Sequence, residues 1–232
     1  MTEARQSGAA AAARPRLSEA QEDYLKQIFL LGEERERVST QMMARRIGVR
    51  PASVTEMVGR LTQLGLVEHT PYRGFRLSAS GRRVALEIVR HHRLLETFLV
   101  QELGYGWDQV HDEAERLEHV ISERFEARIA AVMGHPTHDP HGDPIPDADL
   151  AMPERRGLVP LPSLAEGGRG TVVRVGSQDE DSLTTLRRLG LGCGAAVQRG
   201  KLSGDAIRVR IGNDVVQLPV SLAESLWVEE EP

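Results

Sequence analysis

Six side chains on two helical stretches offer the clearest chemistry in the sequence. His111, Glu115, Glu118 and His119 stand at i, i+4, i+7 and i+8. At about 100° per residue they share one arc of roughly 100° on an α-helix. Upstream, His92 and Glu96 are four residues apart on one face of a longer stretch. A single histidine on a helix is ordinarily a packed side chain, and Glu four residues from His or Arg is ordinarily a surface pair. Six such residues on two facing stripes argue instead for a divalent-cation site between antiparallel helices. Hard carboxylates beside imidazole, without a nearby thiolate, favour Mn(II) or Fe(II) over copper or zinc. A second group, His135, His138, Asp139, His141 and Asp143, is threaded by Pro136, Pro140, Pro144 and Pro146. Those prolines stiffen it, and it reads as a structural connector.

The other chemistry is electrostatic. The formal charge is −5 overall, yet Arg35 to Arg83 carries ten Arg, no Lys and only Glu36, Glu56 and Glu68, a local +7. A basic segment inside an acidic chain is the footprint of phosphate binding. Within it, Arg50, Ala52, Ser53, Thr55 and Glu56 open a helical run, and Arg60 follows one turn later. Arg can bond guanine in bidentate fashion, Ser and Thr can reach bases or phosphates, and Ala can touch a thymine methyl. Arg60 is better placed for a phosphate. Tyr72 and Arg73 fall at the tip of a candidate hairpin.

These residues need elements to hold them. Ser18 with Gln21 three residues on forms a capping box before a helix ending at Gly32. Ser39-Thr40 opens a short helix closed by Gly48, and Pro51 opens another closed by Gly65, with Val54, Met57, Val58 and Leu61 on its core side. Leu66–His69 and Gly74–Leu77 then read as a hairpin. Helix, turn, helix and hairpin in that order spell a winged helix-turn-helix, whose second helix enters the major groove. Ser78 or Ser80 caps a long helix over about Arg82 to Leu103; further helices are expected over Asp108 to about Ile121 and from Ser122 to near Gly134. Residues 134–160 read as irregular. Four short β runs follow, at Thr171–Val175, Ala195–Arg199, Ala206–Ile211 and Val215–Val220, with one helix over Ser182–Leu189. They suggest a small SH3-type barrel.

The predicted class is therefore multidomain, mainly α with small β. It comprises a tail over 1–16, a winged helix-turn-helix over 17–81, a helical metal-binding and dimerisation domain over 82–147, a linker over 148–157 and an SH3-like domain over 158–232. At 232 residues, several small modules are expected rather than one large core. No apolar run approaches the ~20 residues of a membrane span. The single cysteine, Cys193, excludes internal disulfides and cysteine zinc sites and suits a reducing cytoplasm.

The sequence resembles the diphtheria-toxin-repressor family of metal-dependent transcriptional regulators from about Leu17 to the C-terminus. The resemblance is carried by Glu22-Asp23-Tyr24-Leu25, by Leu64-Gly65-Leu66-Val67, by Arg90 to Glu96, by Val110 to His119 and by Pro140-His141-Gly142-Asp143-Pro144-Ile145-Pro146. It implies a homodimer that binds operator DNA and a C-terminal module similar to ferrous-transport FeoA proteins. It also implies a regulatory metal site formed by Asp23, Glu115, Glu118 and His119. Iron-type members carry methionine at the Asp23 position and cysteine at the Glu115 position, so this chain matches the manganese-type pattern. Short manganese-type members have a glutamate where this chain has Lys26, which argues against a closely paired two-metal site. The resemblance further implies an ancillary site of His92, Glu96 and His111, completed from the C-terminal module by Gln178, Asp179 or Glu180.

The expectation is a cytoplasmic, manganese-responsive DNA-binding regulator, most readily a repressor of manganese-uptake genes, with the metal as effector rather than catalyst. An iron(II) sensor is the rival within the family. A metalloenzyme or a metal-binding protein without a regulatory role is the rival outside it. No nucleophile, Gly-rich phosphate loop or small-molecule substrate pocket is evident, and either outside rival would leave the basic winged module unexplained.

Overall fold

The computed structural model describes residues 17–33, 35–153, 157–176 and 179–231. The expected tail over 1–16 and the candidate ligand Gln178 lie outside the described residues.

Helix α1 (Glu19–Gly32) begins where the Gln21 side chain accepts the Ser18 backbone N–H at 2.9 Å. It buries Leu25, Ile28 and Phe29. Helix α2 (Thr40–Ile47) is capped by the Ser39 hydroxyl and ends at Gly48, whose φ of 69° suits glycine. Helix α3 (Pro51–Gln63) takes Pro51 in its first turn, where a missing N–H costs nothing. Strands β1 (Val67–Thr70) and β2 (Gly74–Leu77) pair antiparallel. Val38 bridges to Phe75 beside them, and a Cβ at Gly74 would meet the Val38 carbonyl oxygen at 2.3 Å. Leu25, Met43, Val54, Leu61 and Phe75 close the core of this winged module.

Helix α4 (Ala79–Gln101) starts at Ser78, whose hydroxyl accepts the Gly81 N–H. It belongs to two cores. Ala85, Leu86 and Val89 pack on the winged module, while Leu94 and Leu95 pack with Ala114, Ile129, Ala130 and Ile145. Helices α5 (His111–Leu117) and α6 (Glu123–Val132) complete the helical region. The helix expected over Asp108 to Ile121 is thus shorter at both ends. Asp108 accepts hydrogen bonds from Arg187 and Thr184, which commits it to the C-terminal module. At the other end Ser122 caps α6 by accepting the Phe125 N–H, so the chain turns between Glu118 and Ser122.

The segment after α6 is irregular, as expected, but it is no bare spacer. Ile145, Asp139 and His141 are buried within it, and Leu150 and Met152 pack against the winged-module core.

The C-terminal module is a six-stranded antiparallel sheet in the order β3-β8-β4-β5-β6-β7. Its strands are β3 (Val159–Pro160), β4 (Arg169–Val175), β5 (Ala196–Ser203), β6 (Ala206–Ile211), β7 (Asp214–Pro219) and β8 (Leu226–Glu230). Helix α7 (Glu180–Arg188) joins β4 to β5, and α8 (Val220–Ala223) joins β7 to β8. The module packs on the helical region through defined contacts. Arg187 Nη1 meets Asp108 at 2.7 Å, Arg174 Nε meets Asp143 at 2.6 Å, and the Val175 N–H donates to the His141 carbonyl at 2.7 Å. Gly142 has φ of 83°, and a Cβ there would lie 1.9 Å from the Val173 carbonyl oxygen. Only glycine lets the connector approach β4 this closely.

Candidate metal centre and nucleic-acid face

Two elements bring the first donor group together. Asp23 comes from α1, while Glu118 and His119 come from the turn after α5. Their donor atoms lie within 4.8 Å of one another. His119 Nε2 stands 3.0 Å from Asp23 Oδ1 and 3.4 Å from Glu118 Oε1. Its Nδ1 faces Glu22 Oε2 at 2.7 Å, a carboxylate that holds the ring by its other nitrogen, as outer partners of metal-bound histidines do. Glu115 is not gathered with these three. Its half-exposed carboxylate sits 3.3 Å from Lys26 Nζ and 3.7 Å from His111 Nε2. The ammonium of buried Lys26 also reaches Glu118 Oε1 at 2.5 Å.

The second group is His92, Glu96 and His111. His92 Nε2 lies 3.1 Å from Glu96 Oε1 and 3.1 Å from His111 Nδ1, and His111 Nδ1 lies 3.3 Å from Glu96 Oε1. The two groups touch, because His92 Nδ1 stands 2.5 Å from Glu118 Oε2. Of the residues expected to complete this second group, Asp179 caps α7 by accepting the Ser182 N–H. Glu180 shares a cavity of 210 Å³ with His111.

The connector supplies donors from another direction. Glu96, Asp139 and His141 form a third, wholly buried cluster. His141 Nδ1 is 3.4 Å from Glu96 Oε2, and its Nε2 bonds the Trp107 carbonyl at 2.8 Å. Asp139 Oδ1 accepts the backbone N–H groups of His141 and Asp143, which turns the imidazole inward. Reading this segment as a structural connector missed that role. The signal was the His/Asp group itself, set aside because of the prolines that thread it. A fourth cluster, His91, Glu123 and Glu126, has Glu126 already paired with Arg90 at 2.5 Å.

The electrostatics suit cations. Burial opposes charge on His92, but Glu96 and the hydrogen bond to Glu118 outweigh it and push its pKa up to about 9. His119, likewise partly desolvated, is raised to about 10 by its bonds to Asp23 and Glu22. Burial also disfavours the charged forms of Glu96 and Glu118, yet His92 and the other cationic partners hold both carboxylates below their ordinary range. Burial and the nearby Glu96 push Asp139 up to about 7. Protonated imidazoles here stand where a divalent ion would satisfy the same carboxylates. Oxygen donors with one imidazole at the first cluster, and two imidazoles with one carboxylate at the second, fit Mn(II), Fe(II) or a similar ion.

The nucleic-acid face is open. Arg50 precedes α3, and Ala52, Ser53, Thr55, Glu56 and Arg60 are exposed along it. The Thr55 hydroxyl donates to the Pro51 carbonyl at 3.0 Å. Arg60 is ion-paired with Glu56 at 2.5 Å, so it meets a phosphate only on leaving that partner. An exposed pair of this kind is worth at most about 0.5 kcal/mol, a small cost beside a phosphate contact. At the hairpin tip Arg73 is exposed, and Tyr72 is fully so, with its backbone at φ of 63°. A bulky residue in that region is strained.

Comparison with known proteins follows the same division. A model of the iron-dependent repressor N-terminal DNA-binding domain matches residues 16–75. One of the iron-dependent repressor metal-binding and dimerisation domain matches 78–147, and a FeoA domain model matches 159–230. The iron-dependent repressor IdeR of Mycobacterium tuberculosis is 33% identical over 226 residues, covering 92% of this chain and 98% of that protein. The diphtheria toxin repressor of Corynebacterium diphtheriae is 30% identical over 223 residues, covering 92% and 98%. Among solved structures, a manganese-dependent transcriptional repressor in complex with manganese is 41% identical with a TM-score of 0.84, covering 91% of this chain and all of that one.

Proposed function

Since the chain belongs to the diphtheria-toxin-repressor family of metal-dependent transcriptional repressors, we propose that its effector is Mn(II) and that it represses manganese-uptake genes. The observation that carries this reading is the convergence of Asp23 from α1 with Glu118 and His119 from the α5–α6 turn. A divalent ion bound there supplies one positive centre shared by donors from both modules. Asp23 stands at the entry to the winged module, so holding it against the turn fixes α1, and with it α3, relative to the helical region. Such an ion favours the DNA-competent arrangement only by its differential affinity for it. His92, Glu96 and His111 form the ancillary site, to which Asp139 and His141 contribute through Glu96.

Manganese is supported by oxygen at Asp23 and Glu118, in a cluster to which the one cysteine, Cys193, does not belong. The likeness to the manganese-bound repressor structure points the same way. Iron(II) is the second reading, because the mycobacterial relatives at 33% identity are iron-dependent repressors by name. The assembly is a homodimer. Helix α6 turns Phe125 and Val132 to solvent, with Val120 just ahead of it, an apolar face suited to a second copy. DNA binding is assigned to Arg50, Ala52, Ser53 and Thr55 at base edges and to Arg60, Tyr72 and Arg73 on the backbone.

The test is operator binding against free metal, measured anaerobically for the parent and for Asp23→Met with Glu115→Cys. The double change should move activation toward Fe(II) and Zn(II) and weaken the Mn(II) response. An unchanged ranking of metals removes both positions from the specificity determinants and leaves iron an equal claim.

A further inference from the structure

We propose that Lys26 is a tethered cation that competes with the effector metal for Glu118 and so sets the metal concentration at which the regulatory site fills. The proposal rests on the metal-sensing reading above. Lys26 lies three residues after Asp23 on α1, so both side chains project toward the α5–α6 turn. The Lys26 side chain is only 3% exposed. Its Nζ meets Glu118 Oε1 at 2.5 Å and Glu115 Oε1 at 3.3 Å. The second oxygen of Glu118 is already taken by His92 at 2.5 Å. His119 Nε2 approaches Oε1 at 3.4 Å, and Asp23 Oδ1 stands 3.0 Å from that same nitrogen, so this is the oxygen on the side of the other two donors. An ion held by Asp23, Glu118 and His119 therefore needs the oxygen that the ammonium occupies.

A buried lysine is almost always paired, and the plain alternative is a structural ion pair that anchors α1. The two roles predict opposite signs. An anchor that presents Glu118 would help metal bind, whereas a competitor hinders it. Displacement has room. Lys26 lines a cavity of 260 Å³ whose walls carry Glu33, Glu96, Asp139 and Asp143 together with Arg35, Arg46, Arg93 and Arg174, so the displaced ammonium gains space there rather than a new acidic partner. Glu115, half exposed, can follow it or stay with the metal.

The experiment is calorimetric titration of the chelator-stripped full-length protein with MnCl2, in a His111→Ala background so that uptake reports the regulatory site. Lys26→Met removes the charge at similar length, and Lys26→Gln keeps a hydrogen-bond donor should the methionine variant fold poorly. Either should lower the Mn(II) dissociation constant by at least about tenfold. Either should also lower the melting temperature of the metal-free protein and enlarge the rise on adding Mn(II). In Lys26→Ala, methylammonium chloride should restore competition against Mn(II), with little effect on the parent. Equal or weaker Mn(II) binding in both variants overturns the proposal and leaves Lys26 an anchor. If the parent takes up no Mn(II), and His119→Ala matches it, the metal-sensing reading itself fails.

Discussion

Replacing Glu118 by Gln keeps the shape of the side chain and removes one charge at the point where both donor clusters meet. Its side chain is fully buried, with Lys26 at 2.5 Å on one oxygen and His92 at 2.5 Å on the other. Removing one partner of a buried ion pair costs roughly 3–5 kcal/mol, because the other charge is left uncompensated. Two neighbours soften that cost. Glu115 stays 3.3 Å from Lys26 in a half-exposed position, and Glu96 stays 3.1 Å from His92. About 2–4 kcal/mol is then expected for the metal-free protein. At roughly 2–4 °C per kcal/mol for a chain of this size, the melting temperature should fall by about 4–16 °C. The assay is thermal unfolding in chelator, followed by operator binding with and without Mn(II), which the variant should no longer distinguish. A double-mutant cycle with Lys26→Met isolates the pair. The double variant should be less destabilised than the two single losses added, by at least about 1 kcal/mol. A coupling near zero, or a Glu118→Gln protein as stable as the parent, would refute the claim that this carboxylate holds buried charge.

Arg50→Ala should cost about 1–3 kcal/mol on a specific operator and relax preference at one base position, read by binding to operator variants, while Arg73→Ala should weaken all sequences alike and reduce the salt slope. His141→Ala should lower metal uptake at the Glu96 cluster and loosen the connector, read by equilibrium dialysis and proteolysis; unchanged uptake would leave His141 purely structural. Metal-free stability should depend on pH in a fixed direction. The folded pKa values of His92, about 9, and His119, about 10, lie above the ordinary 6.5. Their contribution is fully present below about pH 6.5 and is lost as pH rises through 9 and 10, so the chelated protein should melt lower at about pH 9.5 than at about pH 6.5. A flat profile would show that these rings are not held protonated.

Helix and turn chemistry made much of the architecture legible. Ser18, Ser39, Ser78 and Ser122 start α1, α2, α4 and α6, and Gly48 ends α2 in the left-handed region. Strand β8 escaped notice because Val228, which pairs with Val172, leads straight into Glu229 and Glu230, and an acidic end masks a strand. Strand β3 is only two residues long and ends in Pro160. Helical spacing put His92 and Glu96 on one face and His111 on a second stripe, and the family resemblance joined the three as a site. Glu115, which the resemblance adds to the regulatory set, instead faces Lys26 and, one turn back, His111. The sequence named Lys26, Glu22, Asp139 and His141 but not their partners. Their roles come from contacts between elements distant in sequence, which local periodicity does not encode.

The imidazole of His92 is shared. One nitrogen faces Glu96 and His111, and the other faces Glu118. A neutral ring has a single N–H, so an ion held at Nε2 would leave the hydrogen on Nδ1, aimed at Glu118 Oε2. An ion in the ancillary cluster would thereby hold the carboxylate that the proposed regulatory cluster needs, and thermodynamic reciprocity would then have the regulatory cluster favour the ancillary one in return. Two pockets joined through one five-membered ring would answer as a pair and respond more steeply to rising metal than either alone, and a His92→Asn chain would lose a donor of the ancillary cluster together with the link between the two.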